Sequence, residues 1–116
     1  FDAKLYALQS AVNGAPYSEL GTLELEHVRF AEVDQAAFDA PALASLGTFS
    51  PNVSLLVKNR SVLDAFVDDY ENRDGDAAGR TQYRLRFTEP YNDGAQGNSA
   101  VFDKDSLKIT FVYLAK

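Results

Sequence analysis

The stretch TQYRLRFT at residues 81–88 alternates apolar and polar side chains with a period of two residues. Tyr83, Leu85 and Phe87 share one side of an extended chain, and the intervening glutamine and two arginines share the other side. This pattern is typical of an antiparallel strand that has one face on a core and one in water. We therefore predict a strand here and, working outward from it, a mainly β domain.

Four further segments carry apolar residues that favour strands. The segments 21–33, 52–58 and 107–114 alternate in the same way, and 107–114 is partly apolar on both of its faces. Within 21–33 the apolar positions change side, which predicts a one-residue bulge near Glu26-His27. Residues 1–12 fit either a strand or an Ala-rich helix, and we favour the strand.

The segment that begins at Ser61 shows helical periodicity instead. Its apolar residues recur every three or four positions, and Ser61 with Asp64 predicts a capping box at the start of a helix of about two to three turns. The alternative is that this segment is a strand that pairs with the strand at residues 81–88. Residues 34–46 predict a connection with one short helix that ends at Gly47, and residues 89–99 predict a long exposed turn segment.

Short strands separated by turns predict one small antiparallel β-sandwich, jelly-roll-like, with one or two short helices. The chain has 116 residues, the usual size of one domain, so we predict a single unit over residues 1–116. The residues expected to be buried together between the sheets are Leu23, Leu25, Tyr83, Leu85, Phe87, Ile109 and Phe111.

The composition excludes several classes of function. A net charge of −6 disfavours nucleic acids and anionic membranes as partners, because binding to phosphates needs a surplus of Lys and Arg. No apolar run approaches the roughly 18 residues that cross a bilayer, so membrane insertion is not expected. His27 is the only histidine and there is no cysteine, and no nucleophile-elbow or phosphate-loop pattern occurs. We predict that the protein has no catalytic residues and is not an enzyme.

Acidic residues are concentrated between residues 61 and 79, which carry five of the six net negative charges. Near Gly75, carboxylate and amide oxygens crowd a turn, and calcium binds about six to eight such oxygens. The spacing does not match an EF-hand loop, so the alternatives are a different calcium loop and a solvated acidic turn. The candidate calcium ligands are Asp68, Asp69, Asn72, Asp74 and Asp76.

Two pairs of side chains are candidates for binding a ligand such as a carbohydrate. Arg84 and Arg86 share the polar face of one strand about 7 Å apart, where they could clamp an anionic group. The alternative is that they pair across the sheet with Glu24, Glu26 or the acidic turn. Tyr70 and Tyr91 adjoin predicted loops, as aromatic platforms for sugars do.

The strands predicted near both termini point to protein partners. Exposed strand edges pair with other chains, so we expect self-association in a surface filament or coat, with Tyr6, Leu8 and Val12 setting the register. The chain contains no Met, so we expect a processed or excised chain that works at an extracellular or cell-surface location. The competing prediction is a calcium-stabilised carbohydrate-binding module.

Overall fold

Strands make up most of the regular structure in a computed structural model, which describes residues 2–31, 41–88 and 99–112. The strands are β1 (Asp2–Asn13), β2 (Leu23–Val28), β3 (Ala44–Phe49), β4 (Val57–Ser61), β5 (Gln82–Phe87), β6 (Ser99–Phe102) and β7 (Lys108–Val112). The helices are α1 (Pro16–Glu19), α2 (Leu63–Glu71) and a 3-10 turn at Lys104–Ser106. The predicted mainly β fold, with strands at residues 81–88 and at the N-terminus, is confirmed.

The first sheet is built around β1. One edge of β1 pairs antiparallel with β4 over residues 4–8. Its other edge pairs with β7 over residues 2–6 and with β6 over residues 9–13. The N-terminal strand is therefore interior to its sheet, and the expectation that it offers a free edge is wrong.

The second sheet has the order β3-β2-β5 and is antiparallel throughout. Pairing of β2 with β5 is regular over residues 23–28, whereas the register with β3 shifts between Glu24 and Glu26. An irregularity therefore exists near the predicted bulge, on the β3 edge only. Beside β5 the alternation of β2 is unbroken, so Val28 is buried on the face opposite Leu25. The prediction that a bulge would place Val28 on the same face as Leu25 is therefore wrong.

The two sheets face each other across one apolar core. Ala3 and Ala7 of β1 meet Leu23 and Leu25 of β2, and Phe49 of β3 joins them. Burying each of the larger side chains stabilises the fold by about 1.5–3 kcal/mol. On one side the sandwich is closed, because β3 lies beside β4 and the Arg60 Nε donates to the Thr48 carbonyl at 2.7 Å.

Helix α2 packs against β1 near the end of the sandwich where β1 begins. Ala65 and Asp69 are its buried residues. The helix predicted after Ser61 is confirmed, but its predicted capping box is wrong, since Val62 is the N-cap and its side chain makes no capping hydrogen bond. The Ser61 hydroxyl donates to the Asp2 carboxylate at 3.0 Å and accepts from the Leu63 N–H only at 3.5 Å.

The strand predicted at 52–58 is mostly a turn, and β4 begins only at its sixth residue. Asn52 causes the difference. Its side-chain oxygen accepts the Ser54 N–H at 2.9 Å, and its carbonyl accepts the Leu55 N–H at 3.1 Å. These bonds stabilise a local turn that competes with strand pairing.

The predicted connection at 34–46 ends in a strand and not in a helix. Residues 44–49 are held extended by pairing with β2, so Gly47 lies inside β3 instead of ending a helix. Its φ of +109° favours glycine, and an added Cβ would meet the Arg60 side chain at 3.1 Å. The rest of that prediction at 34–40 lies outside the described residues, as do 89–98 of the predicted turn segment and 113–114 of the predicted strand. Among the described helices, none is long and apolar enough to cross a membrane.

Candidate functional site

Between β5 and β7, the described residues leave one side of the sandwich open. A cleft of about 570 Å³ lies between the two sheets there. Its apolar lining comes from both sheets and consists of Leu5, Leu25, Tyr83, Leu85, Leu107 and Ile109. Five of these six side chains are less than fully buried, and Leu107 is 51% exposed. We call this feature the β7 cleft, and it is where an additional strand would complete the core.

A second apolar groove lies at the other end of β7, against α2. The groove has a volume of about 380 Å³, and its apolar lining consists of Leu63, Phe66, Val67, Tyr70, Phe111 and Val112. The rings of Phe66 and Phe111 lie 4.8 Å apart. We call it the α2 groove. Phe111 was predicted to be buried with the core but is 45% exposed, because it packs on the helix surface at the open end of the sandwich.

The β7 cleft and the α2 groove lie along one strand edge. Ile109 lines the first and Phe111 lines the second, and alternation places both on the same side of β7. The β7 strand pairs with β1 on its inner edge. Within residues 2–31, 41–88 and 99–112, no strand pairs with its outer edge. The outer edge of β7 therefore combines unpaired backbone groups with apolar grooves, as sites for strand addition do.

Charged residues flank the outer face of this edge. Asp2 lies opposite Val112 in the pairing of β1 with β7, and its carboxylate is 3.9 Å from the Lys4 ammonium. At the other end of β7, the Lys108 ammonium lies over the Tyr6 ring at 5.8 Å from its centroid. The edge therefore carries an anion beside its C-terminal end and a cation at its N-terminal end.

A buried polar network joins α2 to β2. The Asp69 carboxylate is 3% exposed, and one of its oxygens lies 2.8 Å from the His27 Nε2. Its other oxygen accepts from the Arg29 Nη2 at 2.9 Å and from the Arg29 Nε at 3.2 Å. Arg29 also donates to Asp68 at 3.0 Å. The hydrogen bond to Asp69 raises the pKa of Arg29, so the guanidinium stays charged.

The same network has the residue types of a metal site, since His27, Asp68 and Asp69 hold possible ligand atoms within 4.8 Å of one another. The guanidinium of Arg29 already lies between the two carboxylates as their counter-cation. His27 lies in a strand, as the sequence predicts, and it is 3% exposed. The arrangement is suited to holding α2 against the sandwich.

The two predicted ligand-binding arginines meet one buried glutamate. Glu26 is 3% exposed and accepts from the Arg84 Nε at 2.9 Å and from the Arg86 Nη2 at 3.1 Å. The predicted pairing with glutamates across the sheet is therefore present. The binding of an anionic ligand by these two arginines stays a prediction. The Arg86 side chain is 53% exposed, so its guanidinium is accessible to such a ligand.

The candidate calcium ligands are divided between two surroundings. Asp69 faces inward to His27 and Arg29, and Asp68 contacts Arg29 and accepts from the Asn72 side-chain amide at 3.3 Å. The other two candidates, Asp74 and Asp76, are exposed in the turn after α2. The calcium site stays a prediction.

The two predicted aromatic platforms are not brought together by the described structure. Tyr70 is 57% exposed and lines the α2 groove, and the centroid of its ring lies 4.1 Å from the guanidinium carbon of Arg73. Tyr91 lies outside the described residues. The predicted sugar platform therefore stays a prediction.

The chain matches no protein-family model, and comparisons with curated proteins and with solved structures also find no match. The candidate site therefore rests on the geometry of this chain alone. Sequence reasoning predicted a pairable edge near the C-terminus but missed the two apolar grooves beside it, although one signal for them was present. The segment 107–114 is apolar on both faces, which is unusual for a strand with one face in water.

Proposed function

We propose that this protein is a non-enzymatic, extracytoplasmic interaction module that self-associates by adding a strand at the outer edge of β7. We expect this contact to be one of those that join the subunits of a surface filament or coat. The observation that carries the proposal is the combination on β7 of an edge that no described strand pairs with, the β7 cleft and the α2 groove. An added strand gains main-chain hydrogen bonds from the edge and places alternate side chains in the grooves.

The exposure of the apolar residues supports this role. Phe111 and Val112 are 45% and 60% exposed on a short edge strand, and Leu107, just before it, is 51% exposed. Protein edges are usually protected by charges, bulges or covering loops, because an apolar edge pairs with other chains. A cluster of large apolar residues on one edge is typical of an interaction site.

The experiment measures self-association by sedimentation velocity over a wide range of protein concentration. The Val112→Lys variant introduces a cation at an exposed edge position and should weaken association by roughly tenfold, since charges blunt edge pairing. Val101→Lys is the matched control, because Val101 is a 43% exposed valine on β6, away from the grooves. It should associate as the parent protein does.

A parent protein that stays monomeric at every concentration contradicts the proposal, and so does equal weakening by the two variants. The extracellular or cell-surface location stays a prediction, which cell fractionation followed by immunoblotting tests.

A further inference from the structure

We infer that the partner at β7 is the β7 strand of a second copy, joined antiparallel about a two-fold axis at Thr110. This inference rests on the proposed function and names its occupant. The axis places Ile109 opposite Phe111 of the other copy and Lys108 opposite Val112 of the other copy. The pair is isologous, so each copy contributes the same surface.

The alternation of side chains restricts the register. Two copies form one continuous sheet with their cores on the same side only if paired residues share a face. Ile109 and Phe111 both point toward the core side, so pairing one with the other satisfies that condition. An axis at Thr110 also uses all five residues of β7, whereas an axis one residue away leaves an end unpaired.

This arrangement closes the open side of both sandwiches. With the β7 strands paired antiparallel in the middle of one sheet, the β7 cleft of each copy lies beside the α2 groove of the other, on the same side of that sheet. Phe111 of each copy then lies opposite Ile109 of the other and extends the apolar lining of its β7 cleft. Two half-open cores become one, which buries apolar surface that each copy alone leaves in water.

In this register Lys108 of one copy comes near Asp2 of the other, whose carboxylate also lies 3.9 Å from Lys4 of its own chain. Lys108 of one copy lies beside Val112 of the other, and Asp2 lies on the far side of that Val112. The three positions form one row across neighbouring strands, so the α-carbons of Lys108 and Asp2 are about 10 Å apart. A lysine side chain spans that separation over a valine, and the pairing occurs twice in the dimer.

Single cysteines test the register, because the chain contains no other cysteine. Thr110 of the two copies lie directly opposite each other, and opposite residues have α-carbons about 4.5–5.5 Å apart, within disulfide range. The Thr110→Cys variant should form a covalent dimer under mild oxidation. The Lys108→Cys variant alone and the Val112→Cys variant alone should not form one, since each of these residues lies about 14 Å from the same residue of the other copy. An equal mixture of those two variants should form the mixed disulfide.

We expect covalent dimers of Thr110→Cys to form at least about tenfold faster than those of Lys108→Cys, because the pair is held together before oxidation. Equal rates for the two variants overturn the inference, and so does a mixture that forms no mixed disulfide. If the parent protein self-associates but these crosslinks fail, the two-fold pairing is wrong and the proposed function stands. If the parent protein is monomeric at all concentrations, both are wrong.

Discussion

Replacing Asp69 with asparagine tests whether the buried network holds α2 on the sandwich. The carboxylate is 3% exposed and is shared by His27 at 2.8 Å and by Arg29 through two hydrogen bonds. Asparagine keeps the size of the side chain but removes its charge and turns one acceptor into a donor. The substitution leaves Arg29 without its buried counter-charge.

The expected loss follows from this geometry. Breaking a buried ion pair by removing one partner costs about 3–5 kcal/mol. Arg29 retains 21% exposure, so water recovers part of the solvation of its charge, and we expect the lower end, about 3 kcal/mol. For a domain of this size that corresponds to a fall in Tm of roughly 10 °C.

Urea unfolding followed by circular dichroism measures the free energy of unfolding of the parent and variant proteins. Asp68→Asn is the matched control, because Asp68 bonds the same arginine but is 52% exposed. It should lose under about 1 kcal/mol, since exposed ion pairs contribute little. If Asp69→Asn destabilises the protein no more than Asp68→Asn, the network does not hold the helix as we describe.

Two other predictions concern pH and metal. Burial lowers the pKa of Lys58 in the folded protein below its ordinary value of 10.5. Between the lowered pKa and 10.5, the unfolded chain binds more protons at Lys58 than the folded protein does, so the free energy of unfolding rises with pH. Urea titrations should therefore show the parent gaining stability relative to Lys58→Met as pH approaches 10.5 from below, and a constant difference would contradict this sign. If the turn around Asp74 and Asp76 binds calcium, EDTA lowers the Tm measured by calorimetry, because an ion bound only to the folded state stabilises it. Equal Tm values with EDTA and with added calcium would remove the metal prediction.

Local pattern was sufficient where a strand has one clear face. Residues 81–88 alternate strictly, and 82–87 of them form β5 with Tyr83, Leu85 and Phe87 packed against the core. The helix after Ser61 was found from its three- and four-residue spacing. Both signals are local, because the burial of one face imposes its period on the sequence.

Local pattern failed where pairing with a distant segment determines the conformation. The residues of β3 are small or weakly alternating, and their pairing with β2 holds them extended. Residues 52–58 alternate well, yet the turn at Asn52 prevents a strand before Val57. Propensity is a weak guide to β structure for this reason, since strands are stabilised by their neighbours.

The sequence by itself determined the fold class, the main strands and the exclusion of histidine-pair and thiolate chemistry. Only the tertiary structure decided which strand is an edge, that Asp69 meets His27, and that Phe111 lies in an open groove. Those properties depend on contacts between residues far apart in the chain, such as Asp69 and His27, which no periodicity records. Alternation shows that a strand has a buried face, but the strand order alone shows whether its backbone is paired on both sides.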